Sequence, residues 1–372
     1  MTAVFFCGPL AHARLRKEIL GPHDPLVDAV LPDWGLYRGY APGSITLAPQ
    51  PGQRVKGKLW VQTDREKTTE ARARLVFYAR SIGLSSRRMM VDTEQGRVVA
   101  TVFHDPGEPD RGTPWDAANW QAEQAPSTVI LAKEVMAGYG QTSAAKQRAR
   151  LGPIMVRAAS RLRAQTDTAP ATVRRSGAEV VVRARRQPYV HFFSVEEYDL
   201  SFDRFDGTAS PTVNRAAFVS GDAVTVLPYD PVRDRVLLVE QFRTGPFARG
   251  DGNPWQLEAI AGRIDPGESP EACARREAVE EAGLTLGALL PVAQYYPSPG
   301  AKTEYIWSYV ALTDLPDTAA GVFGIASEAE DIRGHLLPFE QTMALVASGE
   351  VQNGPLLLCL LWLQRERSGL RA

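Results

Sequence analysis

Three glutamates within five residues, Glu277, Glu280 and Glu281, follow Arg276 directly. Spacings of three and four place side chains on one face of a helix. The flanking residues punctuate such a helix. Ser269 is an N-cap type, Pro270 suits the first helical position, Glu271 meets the positive end of the macrodipole, and Gly283 suits the C′ position. The pattern predicts a helix over Pro270 to Ala282. Like charges at these spacings repel by roughly a few tenths of a kcal/mol per pair, and a divalent cation would reverse the sign. Hard cations such as Mg²⁺ take oxygen ligands from one or two carboxylates, substrate phosphates and water. Arg276 can orient one carboxylate through a bidentate pair. On spacing alone, an ordinary acidic surface helix is the preferred reading of these glutamates.

The wider pattern separates the two readings. Gly262, Glu268, Arg276, Glu277, Ala278, Glu280, Glu281, Gly283 and Leu284 stand at the fixed positions of the Nudix box. The segment therefore resembles that family of metal-dependent diphosphate hydrolases. Ala278 is smaller than the aliphatic residue usual there. Glu268 either binds metal or holds Arg276, and the structural role is the preferred one.

Other segments resemble the ADP-ribose pyrophosphatase branch: RFDGTASPTVNRAAFVSGDAV, YDPVRDRVLLVEQFR, WQLEAIAG, SPGAKTE and SEAEDIRGH, with Pro299 about fifteen residues beyond the box. The resemblance implies hydrolysis of ADP-ribose to AMP and ribose 5-phosphate, with Mg²⁺ as cofactor and Mn²⁺ as the alternative. It implies Glu277, Glu281, Glu330 and the carbonyl of Ala261 as metal ligands. Glu328 is the implied general base, with Glu280 and Arg276 beside the reacting centre, and the choice of base between Glu328 and Glu330 stays open. Arg243 and Glu258 are implied on the phosphate side, and Gly300 and Glu304 on the terminal-ribose side. Each has a structural alternative. For Arg243 it is a structural pair with Glu258, for Glu304 a surface strand position, and for Glu328 and Glu330 a mobile acidic loop. Another nucleoside diphosphate sugar as substrate, or a non-catalytic nucleotide sensor, are the competing functions.

The elements that must position these residues form the second half of a chain of 372 residues, long enough for two domains. Ala223–Pro228 and Val236–Gln241 read as strands joined by a turn at Tyr229–Asp234. Tyr305–Leu312 reads as a further strand, and Phe339–Ser348 and Pro355–Arg367 as helices. Glu179–Arg183 and His191–Leu200 also read as strands. A Nudix α/β/α sandwich over 173–372 is expected, and relatives of this kind often form homodimers. Thr166–Thr172 (TDTAPAT) has linker composition. A helical connector over 141–172 precedes its end, rich in Ala and Arg. Between Lys146 and Arg186, eleven basic residues face only Asp167 and Glu179, and a solvated face at an interdomain seam is the preferred reading.

The net charge of −1 offers no overall attraction for a nucleic acid. Cys7, Cys273 and Cys359 are scattered and odd in number, which suits a reducing cytoplasm. The longest apolar run, Leu356–Leu363, is far below the roughly 20 residues of a membrane span, so it reads as a buried helix and no membrane partner is expected. In the first half, Phe5-Phe6-Cys7-Gly8-Pro9-Leu10, GKLWVQTD and ARLVFYARSIGLSSRRMMV are similar to the γ-glutamylcyclotransferase-like family. That resemblance implies a mixed, barrel-like α+β domain over 1–140. Two departures matter: Cys7 and Pro9 replace the family's Tyr and Ser/Thr, and Ala79 stands where its catalytic Glu is expected. A degenerate binding module is therefore the expectation. The fusion resembles bacterial tellurite-resistance proteins, although no residue set reads as a tellurium site.

Overall fold

A computed structural model of the chain describes all residues except 1–2, 24, 62–64, 112, 167–169, 325–329 and 372. Two compact units divide it, Met1–Thr172 and Val173–Ala372. In the first, β1 (Ala3–Phe6), β2 (Leu26–Arg38), β3 (Ile45–Trp60), β4 (Ser85–Thr93) and β5 (Gly96–His104) close a barrel in the order β1-β3-β2-β4-β5. Alternation along each strand sorts the side chains. Phe5, Leu31, Val91 and Val102 share the barrel interior. Val4, Phe6 and Trp60 face outward, under α1 (Ala13–Leu20), α2 (Arg65–Ile82) and α4 (Ala125–Met136), with α3 (Ala117–Glu123) leading into α4.

The stretch read from sequence as a helical connector holds α5 (Ala144–Ala149) and α6 (Leu151–Thr166). It packs within the first unit, because Ile154 and Ala158 are buried in the same core as Val4 and Phe6. Part of the basic run is correspondingly internal. Arg157 is buried, and Arg161 reaches the buried Glu134 at 3.2 Å.

The second unit opens with a three-stranded antiparallel sheet: β6 (Val180–Val190), β7 (Ser194–Phe202) and β8 (Val213–Val219). The main sheet comprises β9 (Ala223–Asp230), β10 (Arg235–Phe242), β11 (Trp255–Glu258), β12 (Ile260–Arg263), β13 (Leu289–Tyr295), β14 (Ile306–Leu312), β15 (Val322–Phe323) and β16 (Ile332–Pro338). Its order is β13-β14-β9-β10-β16-β15, with β11 on β10 and β12 on β9. β9 and β14 run parallel and the other main-sheet pairs are antiparallel. The helices are α7 (Thr244–Arg249), α8 (Pro270–Ala282), α9 (Phe339–Ser348) and α10 (Gly354–Leu370).

Helices cover both faces of this sheet, so its central strands read as nearly continuous apolar runs. Val224, Val226, Leu237 and Val239 pack with Ala274 and Ala278 of α8. Leu227, Tyr229, Val236 and Leu238 pack with Phe339 of α9 and Leu356, Leu360 and Leu363 of α10. The second half is thus an α/β/α sandwich, and Leu356–Leu363 is a buried helical segment. Among the described residues no helix is long and apolar enough to cross a membrane. All three cysteines are free and buried.

One charged cluster ties α10 to the β9–β10 turn. Asp234 sits in the left-handed region at φ 52°. It accepts from Arg367 Nε at 2.8 Å and Tyr229 Oη at 2.8 Å, and Arg371 Nη1 lies 2.7 Å away. The Arg367 bonds hold the Asp234 carboxyl below its ordinary range, with partial burial opposing. The stabilisation belongs to the ionised form. It is complete above the unfolded pKa of about 4 and is lost as pH falls through the lower folded value. Asn tolerates positive φ, so Asp234→Asn tests the charge rather than the turn. Urea unfolding should show the variant weakened at pH 7, with its deficit shrinking as pH falls below the ordinary carboxylate range. A pH-independent deficit would assign the effect to geometry.

Candidate active site

The site is built on α8, whose ends follow the sequence signals. The Ser269 hydroxyl accepts from the Ala272 N–H at 3.1 Å, Pro270 occupies the first turn, and Gly283 closes the helix at φ 61°. Small residues set how closely α8 approaches the sheet. Ala274, Ala278 and Ala282 are buried, so the short side chain at Ala278 fits a tight helix–sheet contact.

On the other side of α8, Arg276 gathers the carboxylates. Its Nε and Nη2 each donate to Glu268 at 3.0 Å, and its Nη1 donates to Glu277 at 2.6 Å and to Glu280 at 2.9 Å. Nη2 also donates to the Arg263 carbonyl at 3.0 Å. The bidentate partner of Arg276 is therefore Glu268, which lies outside the i, i+3, i+4 cluster. Glu268 in turn accepts from the Asp265 N–H at 3.1 Å, which braces the loop before α8.

Glu281 is 3% exposed and accepts from the Ala261 N–H at 3.1 Å. Burial pushes the Glu281 carboxyl up to about 8, against the Ala261 bond, while Glu277 and Glu330 add repulsion and Arg243 opposes it. Burial likewise raises Glu277 to about 7; Arg276 lowers it, and Glu280 and Glu330 add to the rise. Glu330 therefore stands close enough to act on both. Gly262 faces Glu277 so closely that a Cβ there would overlap the carboxylate.

Arg243 lies in the same field. Partial burial disfavours its charge, but bonding to Glu258 and the nearby Glu281 and Glu330 keep its pKa above the ordinary value. Its Nε donates to both Glu258 oxygens, at 3.1 and 3.0 Å, and Nη2 donates at 2.5 Å. The structural pairing of Arg243 with Glu258 is thus present. Sequence reasoning missed two further donors to Glu258: Gln241 at 3.4 Å and Asn353 at 3.1 Å. Asn353 also caps α10 by accepting from the Leu356 N–H at 3.0 Å. Its N-cap type ahead of Pro355 was readable, but its reach to a residue 95 positions away was not.

Gly300 and Glu304 stand on a separate loop. Glu304 accepts from Lys302 at 3.4 Å. Ala223 pairs with Arg263 on one side and Ile306 on the other, so that loop shares an end of the sheet with Gly262. No hydrogen bond or ion pair among the described residues joins Gly300 or Glu304 to the α8 carboxylates. Glu328 lies outside the described residues. Among those described, no three carboxylate, imidazole or thiol groups close a ready-made metal cage. The donor set of half-buried Glu277 and buried Glu281 is nonetheless hard oxygen and mutually repelling, which suits a divalent cation completed by substrate and water.

In the first unit, the Cys7–Leu10 segment is one turn of 3₁₀ helix beginning at Gly8, where φ is 57°. It borders a pocket of about 10 Å³ with no acidic residue in its lining. Ala79 is 1% exposed.

A NUDIX domain family model matches residues 219–357. The ADP-ribose pyrophosphatase of Escherichia coli (strain K12) is 40% identical over 205 residues, covering 55% of this chain and 96% of that protein. The chain belongs to the Nudix family. A GDP-mannose pyrophosphatase of Enterobacter sp. (strain 638) is 34% identical over 158 residues, 42% of this chain and 80% of its own length. A crystal structure of an ADP compounds hydrolase aligns with TM-score 0.42 at 19% identity, covering 52% of this chain and 97% of that one.

The Gly262–Glu277 contact gives a direct test of this Nudix site. Gly262→Ala should raise the divalent-cation concentration for half-maximal hydrolysis more than tenfold, because Glu277 must move. Gly252→Ala, where a Cβ meets open space, should leave it unchanged. An unshifted metal requirement in Gly262→Ala would remove Glu277 from the metal site.

Proposed function

We propose that the Nudix half hydrolyses ADP-ribose to AMP and ribose 5-phosphate. The observation that carries this reading is the mutually repelling pair of half-buried Glu277 and buried Glu281, with Glu330 beside them and Arg243 in the same field. Its support for the substrate is the 40% identity to an ADP-ribose pyrophosphatase over almost all of that protein.

Glu277, Glu281, Glu330 and the carbonyl of Ala261 are the groups we assign to the metal. Mg²⁺, with Mn²⁺ as substitute, supplies charge neutralisation at the diphosphate oxygens and lowers the pKa of bound water. The chain does the remaining work. Arg276 fixes the carboxylates of Glu277 and Glu280. Arg243, clamped by Glu258, presents its free edge to a phosphate. Glu328 takes the proton of the attacking water, and Gly300 and Glu304 line the terminal ribose. A proton acceptor must lie within hydrogen-bond reach of that water.

The relative named a GDP-mannose pyrophosphatase favours a second reading, another nucleoside diphosphate sugar as substrate. A panel of ADP-ribose, GDP-mannose and other nucleoside diphosphate sugars, scored for nucleoside monophosphate release, separates the two. ADP-ribose should show the highest kcat/KM. Glu281→Gln should lower turnover at least 100-fold without lowering Tm, whereas wild-type turnover in that variant would sink the assignment.

For the first unit we infer a γ-glutamylcyclotransferase-like module that performs no cyclotransfer. Supporting this are the closed barrel, the pocket of about 10 Å³ beside Cys7–Leu10, and Ala79 in place of a carboxylate. The full chain should release no 5-oxoproline from γ-glutamyl substrates; measurable release would overturn this part.

A further inference from the structure

A second cavity of the first unit is far larger than the pocket at Cys7–Leu10. It is a groove of about 390 Å³ between α2 and the outer face of β1, β4 and β5. Strand register defines one wall. Arg88 stands opposite Thr101 and Ser86 opposite Phe103 across β4 and β5. Met89, Ala100 and Val102 of these strands point into the barrel, so alternation turns Ser86, Arg88, Thr101 and Phe103 outward. The other wall is one face of α2. Arg72, Val76 and Arg80 follow at intervals of four and line the same groove.

Arg72, Arg80 and Arg88 line this space, and among the described residues no acidic side chain does. Arg87 borders the groove through the strand, but alternation turns its side chain to the other face of β4, where it lies over the Trp34 ring, 5.2 Å from its centroid. Among the described residues, no carboxylate pairs with Arg80 or Arg88. Ser86 and Thr101 add hydroxyl groups, and Leu75, Val76 and Phe103 supply an apolar floor. Guanidinium groups match phosphate oxygens bidentately and are less strongly hydrated than ammonium groups. Several gathered on one small cavity repel one another unless an anion lies between them. The volume falls within the roughly 300–1,000 Å³ typical of small-molecule pockets. The chain's net charge of −1 provides no broad positive field for a nucleic acid.

We propose that this groove binds a small phosphorylated molecule of the nucleotide class, its phosphate on Arg80 and Arg88 and its apolar body against Val76 and Phe103. The site belongs to the barrel unit and does not depend on the Nudix reading.

The test uses the full chain in EDTA and isothermal titration calorimetry with AMP and ADP. We expect a site whose affinity is unaffected by Glu281→Gln and falls at least tenfold in the double variant Arg80→Ala/Arg88→Ala. That double variant should keep wild-type kcat and KM for diphosphate hydrolysis. Unchanged nucleotide affinity in the arginine variant overturns the proposal, and so does loss of all nucleotide binding in Glu281→Gln. Phenylglyoxal labelling of the wild-type chain, mapped by mass spectrometry, needs no variant. AMP or ADP should slow modification of Arg80 and Arg88, and equal labelling with and without nucleotide overturns the proposal. Arginine-dependent binding to phosphatidylserine vesicles with no nucleotide binding would also overturn it, in favour of a lipid surface.

Discussion

A guanidinium carries its donors in a rigid plane, and Arg276 uses that plane to bond Glu268, Glu277 and Glu280 together with the Arg263 carbonyl. Without it, the acidic face of α8 would be a set of mutually repelling side chains free to turn towards water. With it, Glu277 is held beside Glu281, and the loop entering α8 is fastened to the helix through Glu268. The geometry also depends on what is missing. Gly262 has no side chain, and the space is filled by the Glu277 carboxylate. The small residues of α8 keep the helix near β12, where the Ala261 N–H reaches Glu281. Charge placement and backbone approach are therefore one constraint.

Glu258 shows the same economy on the β10–β11 side. Arg243, Gln241 and Asn353 all donate to it. A carboxylate so surrounded is a fixed point against which Arg243 is aimed. The structural reading of Arg243, a pair with Glu258, and the functional one, a phosphate contact, describe different edges of one guanidinium.

Local signals were legible and distant ones were not. The span of α8, its N-cap at Ser269 and its end at Gly283 follow from neighbouring residues, as do the apolar runs of β9 and β10. The donors on Glu258 depend on sheet register and on a helix N-cap far along the chain, which no local pattern encodes. β8 reads VNRAAFV, with too little alternation to mark it as a strand. The run 141–166 displayed its arginines while its anchoring residues, Ile154 and Ala158, were too few to show that it packs as part of the barrel unit. Arg80 and Arg88 are separated by a turn, and only the pairing of β4 with β5 reveals that they line one groove.

Asn353 bonds in two directions, through its oxygen to the first turn of α10 and through its amide nitrogen to Glu258. This makes the start of the C-terminal helix a thermodynamic partner of Arg243. Loss of the Arg243 bonds would leave that carboxylate leaning harder on Asn353. Fraying of α10 would conversely loosen the carboxylate that aims Arg243. Order in the first turn of α10 and the aim of Arg243 are therefore coupled through Glu258, although no hydrogen bond among the described residues joins that helix to Arg243 directly.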